Sequence, residues 1–484
     1  MTVEPYSSYS LIQYLVNGYN THMLHNALRV IFVLSLLLLA IFVPVVSSGF
    51  FELKQASTSS SYIEMAEHYT SAARRLPWRA DLYELAGHAY YHAKEYPLAD
   101  AAYQRAFQVN VLSPEGWVAW GDVNYLNAEP QRASEVWAQA LEQENPSDQL
   151  YSRLSQIYDE NADYPKAAQY LQKYVAMHSD DAAAHYRLGL LLTLSDPNKA
   201  LSELTGASQL DPQLDPAVRT LTTALNLASL KDSTSERFVI IGRGLGLVEE
   251  WPLAHEALEK AVQADGKNAE ALAWLGEANQ QIGLPEGGSI ELDQALKLNP
   301  KSSTVRGLRG LYFQRVGNFR EALAEFQSAA KLEPDNPAWR VSMDEAYSKL
   351  GDLTRALEAY QSATTLVPDD ASYWRLLAIF CAQNNVNIKD VGIPAAQKAV
   401  ILSKEDAASL DVLGWLLLLD ARHEEAERIL LRALEMDTQN ASAYLHLGMV
   451  YLQKDDRVSA YDHLIKARDL GNVEAEVLLD QYFP

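Results

Sequence analysis

One residue returns along this chain at a nearly fixed interval, and that interval constrains the fold more than any other feature. Alanine occupies Ala106 and Ala140, Tyr174 replaces it once, and it returns at Ala207, Ala261, Ala295, Ala329, Ala363, Ala399, Ala433 and Ala467. The steps are 34, 34, 33, 54, 34, 34, 34, 36, 34 and 34 residues. A chain that repeats itself at this length stacks small units in one dimension instead of closing one globular core. A second alanine precedes the first by seven residues, as at Ala99, Ala133, Ala254, Ala322 and Ala460. Between the two sits a large residue: Tyr103, Trp137, Leu171, Leu204, Leu258, Phe326, Tyr360, Leu430 or Leu464. Further upstream lies a small residue after a hydrophobic one, as in Trp120-Gly121, Leu188-Gly189, Leu413-Gly414 and Leu447-Gly448.

These spacings predict two short antiparallel helices per unit. Tyr83, Ala86, Gly87 and Tyr90 follow the i, i+3, i+4, i+7 rhythm of a one-sided helix. Turn residues cluster where helices must end, at Gly317-Asn318, Gly351-Asp352 and Pro334-Asp335-Asn336. The small residues let two backbones approach, and the large ones fill the space beside them. A lone helix pair could not bury its apolar face, but a stack can.

The 34-residue period and the small and large positions resemble the tetratricopeptide repeat. The resemblance covers about residues 80 to 472. It implies an all-α fold, a right-handed superhelical solenoid of about eleven helix-turn-helix repeats. It also implies that the chain holds protein partners on a concave face and is not an enzyme. Two departures stand out. The 54-residue step predicts one extra helix near Pro216 to Lys231, either a hinge or a rigid irregular turn. Arg306, Arg309 and Arg340 occupy positions that are usually buried and apolar in this family, so either the register shifts there or their stems carry the charges to solvent.

From Val30 to Phe51 the chain carries no charge, which matches the roughly 20 apolar residues of a membrane-crossing helix. The length of this run and the 29-residue tail before it favour an uncleaved anchor. The competing reading is a signal peptide cleaved after Val46-Ser47-Ser48, which would leave a secreted soluble binding protein. Arg29 lies closer to the apolar edge than Lys54, so the expected orientation puts the N-terminus inside and the repeats outside, at a bacterial cell membrane. The expected layout is a tail at 1–29, the membrane helix at 30–51 and a linker at 52–60. A repeat arm follows at 61–212, then an irregular helix at 213–234, a second arm at 235–472 and a capping helix at 473–484.

The net charge of −23 repels phosphate backbones, and no basic stripe offsets it, so nucleic acid is not an expected partner. Cys381 is the only cysteine, which excludes an internal disulfide and a cysteine zinc site. No catalytic motif emerges. Ile241-Gly-Arg-Gly-Leu-Gly246 resembles a phosphate loop only superficially, because it follows no strand. No cofactor and no small-molecule substrate are expected. Glu84, His88 and His92 share a helix face at i, i+4 and i+8; they are a weak metal candidate, and an exposed polar stripe is the stronger reading.

Helical geometry assigns the partner-facing positions by their offsets from the small residue. In the first repeats they include Asp81, Glu84, His88, Asp122 and Asp159, an acidic face suited to a basic segment. In the last repeats they are Ile379, Trp415, Leu418, Leu419, Leu445, Met449 and Leu452. That apolar strip is either a binding surface centred on Trp415 or a seam covered by a neighbouring repeat or the cap. The expected function is a membrane-anchored interaction scaffold. A constitutive subunit of a membrane complex is the alternative, and the secreted binding protein is another.

Overall fold

A computed structural model describes residues 9–109 and 112–483; nothing is said of the side chains of residues 9–27, 285 and 287. The described residues form α-helices joined by tight turns, with no strand among them. The chain divides into two compact units, residues 1–215 and 216–484.

The first unit opens with α1 (Tyr9–Thr58), a helix of 50 residues that pairs with α2 (Tyr62–Arg75). Two hairpins follow, α3 with α4 (Asp81–His92, Tyr96–Gln108) and α5 with α6 (Pro114–Leu126, Pro130–Ala140). Two more are α7 with α8 (Gln149–Glu160, Tyr164–Met177) and α9 with α10 (Ala182–Leu192, Pro197–Leu210). The second unit begins at α11 (Asp215–Ser229), which has no second helix of its own repeat. Its hairpins start with α12 and α13 (Thr234–Leu247, Trp251–Ala264), then α14 and α15 (Ala269–Gln281, Pro285–Leu298). They continue with α16 and α17 (Ser303–Arg315, Phe319–Leu332), then α18 and α19 (Pro337–Lys349, Leu353–Leu366). The last are α20 and α21 (Ala371–Asn384, Ile393–Leu402), α22 and α23 (Ala407–Leu419, His423–Met436), and α24 and α25 (Ala441–Gln453, Arg457–Asp469). The helix α26 (Val473–Tyr482) ends the unit.

The periodic small and large residues explain this pairing. A Cβ on Gly87 would lie 2.8 Å from the Tyr103 ring, and one on Gly414 would lie 2.5 Å from Leu430. The first helix of each hairpin thus offers a notch, and the second fills it. Tyr103, Phe326, Leu430 and Leu464 are completely buried there, as are the alanines on either side of them. Burial of this kind, at roughly 25 cal/mol per Å² of apolar surface, is the main force holding the stack together. Helix starts are capped by side chains: Asn268 accepts from the Glu270 and Ala271 amides, and Asp352 from Arg355. The 36-residue step has a local cause. Between α20 and α21 the chain makes a π-turn at Ile388–Gly392, entered through Asn385 and Asn387 in left-handed conformations.

Residues 52–58 differ from expectation. They are the last turns of α1, not a linker. Gly49 lies against Leu76, Glu52 bonds to His68 at 2.6 Å and Arg75 at 2.7 Å, and Leu53 packs on the cluster of Ala72, Ala73, Leu76 and Leu82. The apolar part of α1 therefore runs without a break into the first hairpin. From Leu28 onward this helix is long and apolar enough to cross a membrane. The Glu325 network corrects the expectation for the arginines. Arg306 and Arg309 do not simply reach solvent; both donate to the buried carboxylate of Glu325, and Arg309 also donates to Asp293 at 3.0 Å.

Candidate partner-binding site

In the first unit the acidic positions sit on the first helices of successive hairpins, where each meets the next. Asp122 on α5 accepts two bonds from the Arg153 guanidinium on α7, at 2.8 and 3.2 Å. Asp159 on α7 accepts two from Arg187 on α9, both at 2.6 Å. Asp81 is held the same way by Arg79, at 2.9 and 2.8 Å. Each of these three carboxylates is thus paired with an arginine of the chain itself, which lowers the charge that this face shows to a partner. Beside the Asp122–Arg153 pair lies a small pocket of about 200 Å³ with a mixed lining, Tyr91, Tyr125, Leu126, Trp137 and Ile157 around the two charged groups and Gln156.

Glu84, His88 and His92 do not converge on a point. Glu84 accepts from the Ser113 amide at 3.0 Å and from its hydroxyl. Burial alone would raise the Glu84 pKa, but hydrogen bonds from His88 and Ser113 hold it below the usual glutamate value. The Nδ1 of His88 bonds the Tyr103 hydroxyl at 2.9 Å, while His92 lies against the Tyr62 ring. No cluster able to hold a metal occurs among the described residues.

The distal apolar strip is partly covered from within the chain. Leu418 and Leu445 are buried, at 7% and 3% exposure. Met449 and Leu452 pack against the cluster that Leu445 forms with Leu464, Ala467, Ala475 and Leu479, the last two from α26. Trp415 stacks on His446 with ring centroids 4.8 Å apart, and the His446 Nδ1 meets Asp411 at 2.7 Å. Ile379 is half-buried against the neighbouring core, and among the seven only Leu419 is exposed. The physical reason is that α25 and α26 fold back over Leu445, Met449 and Leu452 of α24, while Leu418 of α22 is buried in the neighbouring core cluster.

A further concavity lies outside the two candidate faces. A cleft of about 1020 Å³ opens between α11, α12 and the start of α14. Its walls meet where Gly244 on α12 faces Ala224 on α11; a Cβ on that glycine would lie 2.5 Å from Ala224. Leu227 and Leu247, exposed at 51% and 74%, present apolar surface inside it. Arg219 stands on one wall and Arg243 on the other, with Glu236, Asp265 and Glu270 around them. Arg243 also lies over the Trp274 ring at 5.2 Å. The glycines at 242, 244 and 246 serve packing against Leu258, Ala224 and Trp251, which accounts for the run that resembles a phosphate loop. The 54-residue step was the available signal. A helix without a hairpin partner leaves its neighbour's groove unfilled.

Residues 152–213 and 315–379 match models of the tetratricopeptide repeat family. The matches cover about a quarter of the chain, and the fold as a whole is an all-helical solenoid of the tetratricopeptide-repeat type. A stretch of 132 residues is 26% identical to anaphase-promoting complex subunit 3 of Schizosaccharomyces pombe, covering 27% of this chain and 20% of that protein. The chain thus spans about a fifth of that relative's length. Among solved structures, yeast Tom70 aligns over 92% of this chain and 95% of its own, with 16% identity and a TM-score of 0.40. A tetratricopeptide repeat protein of Parabacteroides merdae aligns over 51% of this chain and 98% of its own, at 17% identity and a TM-score of 0.40.

Proposed function

We propose that this chain is a membrane-anchored interaction scaffold that captures a segment of a protein partner in the cleft between α11 and α12. One observation carries the proposal: in a stack whose hairpins fill their own notches, this cleft remains open and apolar at its centre. Its volume lies at the upper end of the usual pocket range, roughly 300–1,000 Å³. The exposed leucines suit the apolar face of a docking helix or peptide. The arginines and carboxylates around them would orient its polar residues. No constellation of nucleophile, base and oxyanion donors accompanies the cleft, and we read the protein as a binder, not an enzyme.

The anchor is supported by α1. Its apolar segment has no buried residue in the window that would cross the bilayer, and its far end is welded to the first hairpin. The stretch that would serve as a signal-cleavage site, Val46 to Ser48, lies inside this helix, with Gly49 pressed on Leu76. We place the repeats at a cell membrane, with the N-terminus inside as the Arg29 flank suggests.

The test is affinity purification from solubilised membranes, comparing wild type with a Leu227→Asp, Leu247→Asp variant and with a Trp415→Asp, Met449→Asp variant. Partners lost only from the first variant support the cleft. Retention of the same set by the first variant would overturn it, and loss confined to the second would move the site to the distal seam.

A further inference from the structure

The corner between α2 and α3 holds an aromatic side chain that the fold does not cover. Trp78 is 52% exposed, and its ring centroid is 5.9 Å from that of Phe42, itself 55% exposed on the apolar part of α1. The chain around it reads Arg74-Arg75-Leu76-Pro77-Trp78-Arg79, three arginines and no acid in six residues, within a protein of net charge −23. Arg75 is tied to Glu52 and Arg79 to Asp81. Arg74 and Lys54 are exposed and have no ion pair among the described residues.

The direction of α2 sets the depth of these groups. Its last turn lies at the level of Gly49 on α1, and the chain then steps back along α1 to bring Trp78 beside Phe42. On a helix rising 1.5 Å per residue, Phe42 is about 10 Å nearer the centre of the apolar run than Gly49. Trp78 therefore stands deeper, with Arg74 and Lys54 above it. Tryptophan at the edge of the hydrocarbon and arginine or lysine at the phosphates is the arrangement that membrane–water interfaces favour. Basic residues near an anionic surface add electrostatic attraction to it.

We propose that this corner is a second membrane contact, with Trp78 seated at the edge of the hydrocarbon layer and Arg74 and Lys54 on the phosphates of an anionic phospholipid bilayer. The proposal rests on the anchor reading of α1. The bilayer surface then crosses α1 between Phe42 and Ser47, not beyond Phe51. From Val30 to Ser47 the helix rises about 26 Å, slightly less than the roughly 30 Å hydrocarbon layer. Local thinning and the reach of the Arg29 stem make up the difference. The first hairpin is thereby held against the membrane instead of swinging on a tether.

The experiment places an environment-sensitive fluorophore on an introduced cysteine in the full-length protein, reconstituted in vesicles of phosphatidylcholine and phosphatidylglycerol. Three positions are labelled singly: Pro77→Cys beside Trp78, Leu38→Cys inside the apolar run, and Gln131→Cys on an exposed helix as control. Nitroxide lipids carry the quencher at the headgroup or in the acyl chain. The proposal expects the label at 77 to lose fluorescence to the headgroup quencher and the label at 131 to keep it. It also expects the 77 signal to recover when Arg74→Glu and Trp78→Ser are added. If 38 is quenched by the acyl-chain lipid while 77 behaves like 131, the second contact is overturned and the anchor stands. Quenching at 77 that survives the added pair overturns the roles of Arg74 and Trp78. If 38 is not quenched, the anchor reading fails and the proposal falls with it.

Discussion

Removing the carboxylate of Glu325 should destabilise the second unit more than almost any other single polar change. Glu325 is 8% exposed and accepts from Arg306 Nη1 at 2.8 Å and from Arg309 Nη1. The two arginine side chains are themselves only 23% and 21% exposed. Glu325→Gln keeps the shape but leaves two guanidinium groups largely desolvated with half their compensation gone. Breaking a buried ion pair in this way costs about 3–5 kcal/mol. At roughly 2–4 °C per kcal/mol for a domain of this order, the melting temperature should fall by about 6–20 °C. Thermal unfolding followed by circular dichroism gives the shift, and hydrogen exchange of the α16 and α17 amides localises it. Replacing all three groups by apolar ones, Glu325→Leu with Arg306→Met and Arg309→Met, should recover most of the loss, because the desolvated charges go too. A cost below about 1 kcal/mol for Glu325→Gln, the size of an exposed pair, would refute the reasoning and show that water screens the cluster.

Three further outcomes are expected. Gly121→Ala places a Cβ 1.9 Å from the Trp137 indole nitrogen and should cost at least 1–3 kcal/mol in a melting experiment, whereas Gly206→Ala, in α10 with nothing within 4 Å, should stabilise by about 0.5–1 kcal/mol. Burial pushes the Cys381 thiol up to about 11, so thiol reagents at pH 8 should leave it unmodified until denaturant is added; rapid labelling of the native protein would contradict its burial. Hydrogen bonds from Ser303, Asn336 and Trp339 hold the Glu333 carboxyl below its usual value. A lowered folded pKa means stability that is present above the unfolded value, about 4.3, and lost as pH falls through the folded one. Protection of the α17–α18 turn should therefore decline in acid for wild type and show no such dependence in Glu333→Gln.

How much of this was legible in the sequence depended on whether a feature repeats. The notch at Gly121 and its filler Trp137 lie sixteen residues apart in one unit and recur in kind, so the hairpin and its packing could be read from spacing. The extra helix was legible too, since a 54-residue step contains a full repeat and 20 residues more. Contacts between units carry no such signal. Asp122 and Arg153 are 31 residues apart on different hairpins, and nothing in either helix alone shows that one neutralises the other. The same limit applies to Leu418 and Leu445, which look exposed on single helices and are buried by their neighbours in the fold, Leu445 against α25 and α26. Residues 52–58 were read as a linker because their polar composition outweighs the few side chains, Leu53 and Ala56, that dock on the first hairpin. The cleft was legible only indirectly, through the 54-residue step, because it is made by what is missing, a partner for α11.

The central claim is that a protein partner occupies the cleft while α1 holds the chain at a membrane. Its most direct test is a photo-crosslinking amino acid placed at Leu227 in the full-length protein, activated in native membranes, with Leu230 and Gln131 as controls outside the cleft. The account predicts a discrete crosslinked species from Leu227 that disappears when Leu247→Asp is added. Crosslinking at Leu227 no different from that at Gln131 would contradict it.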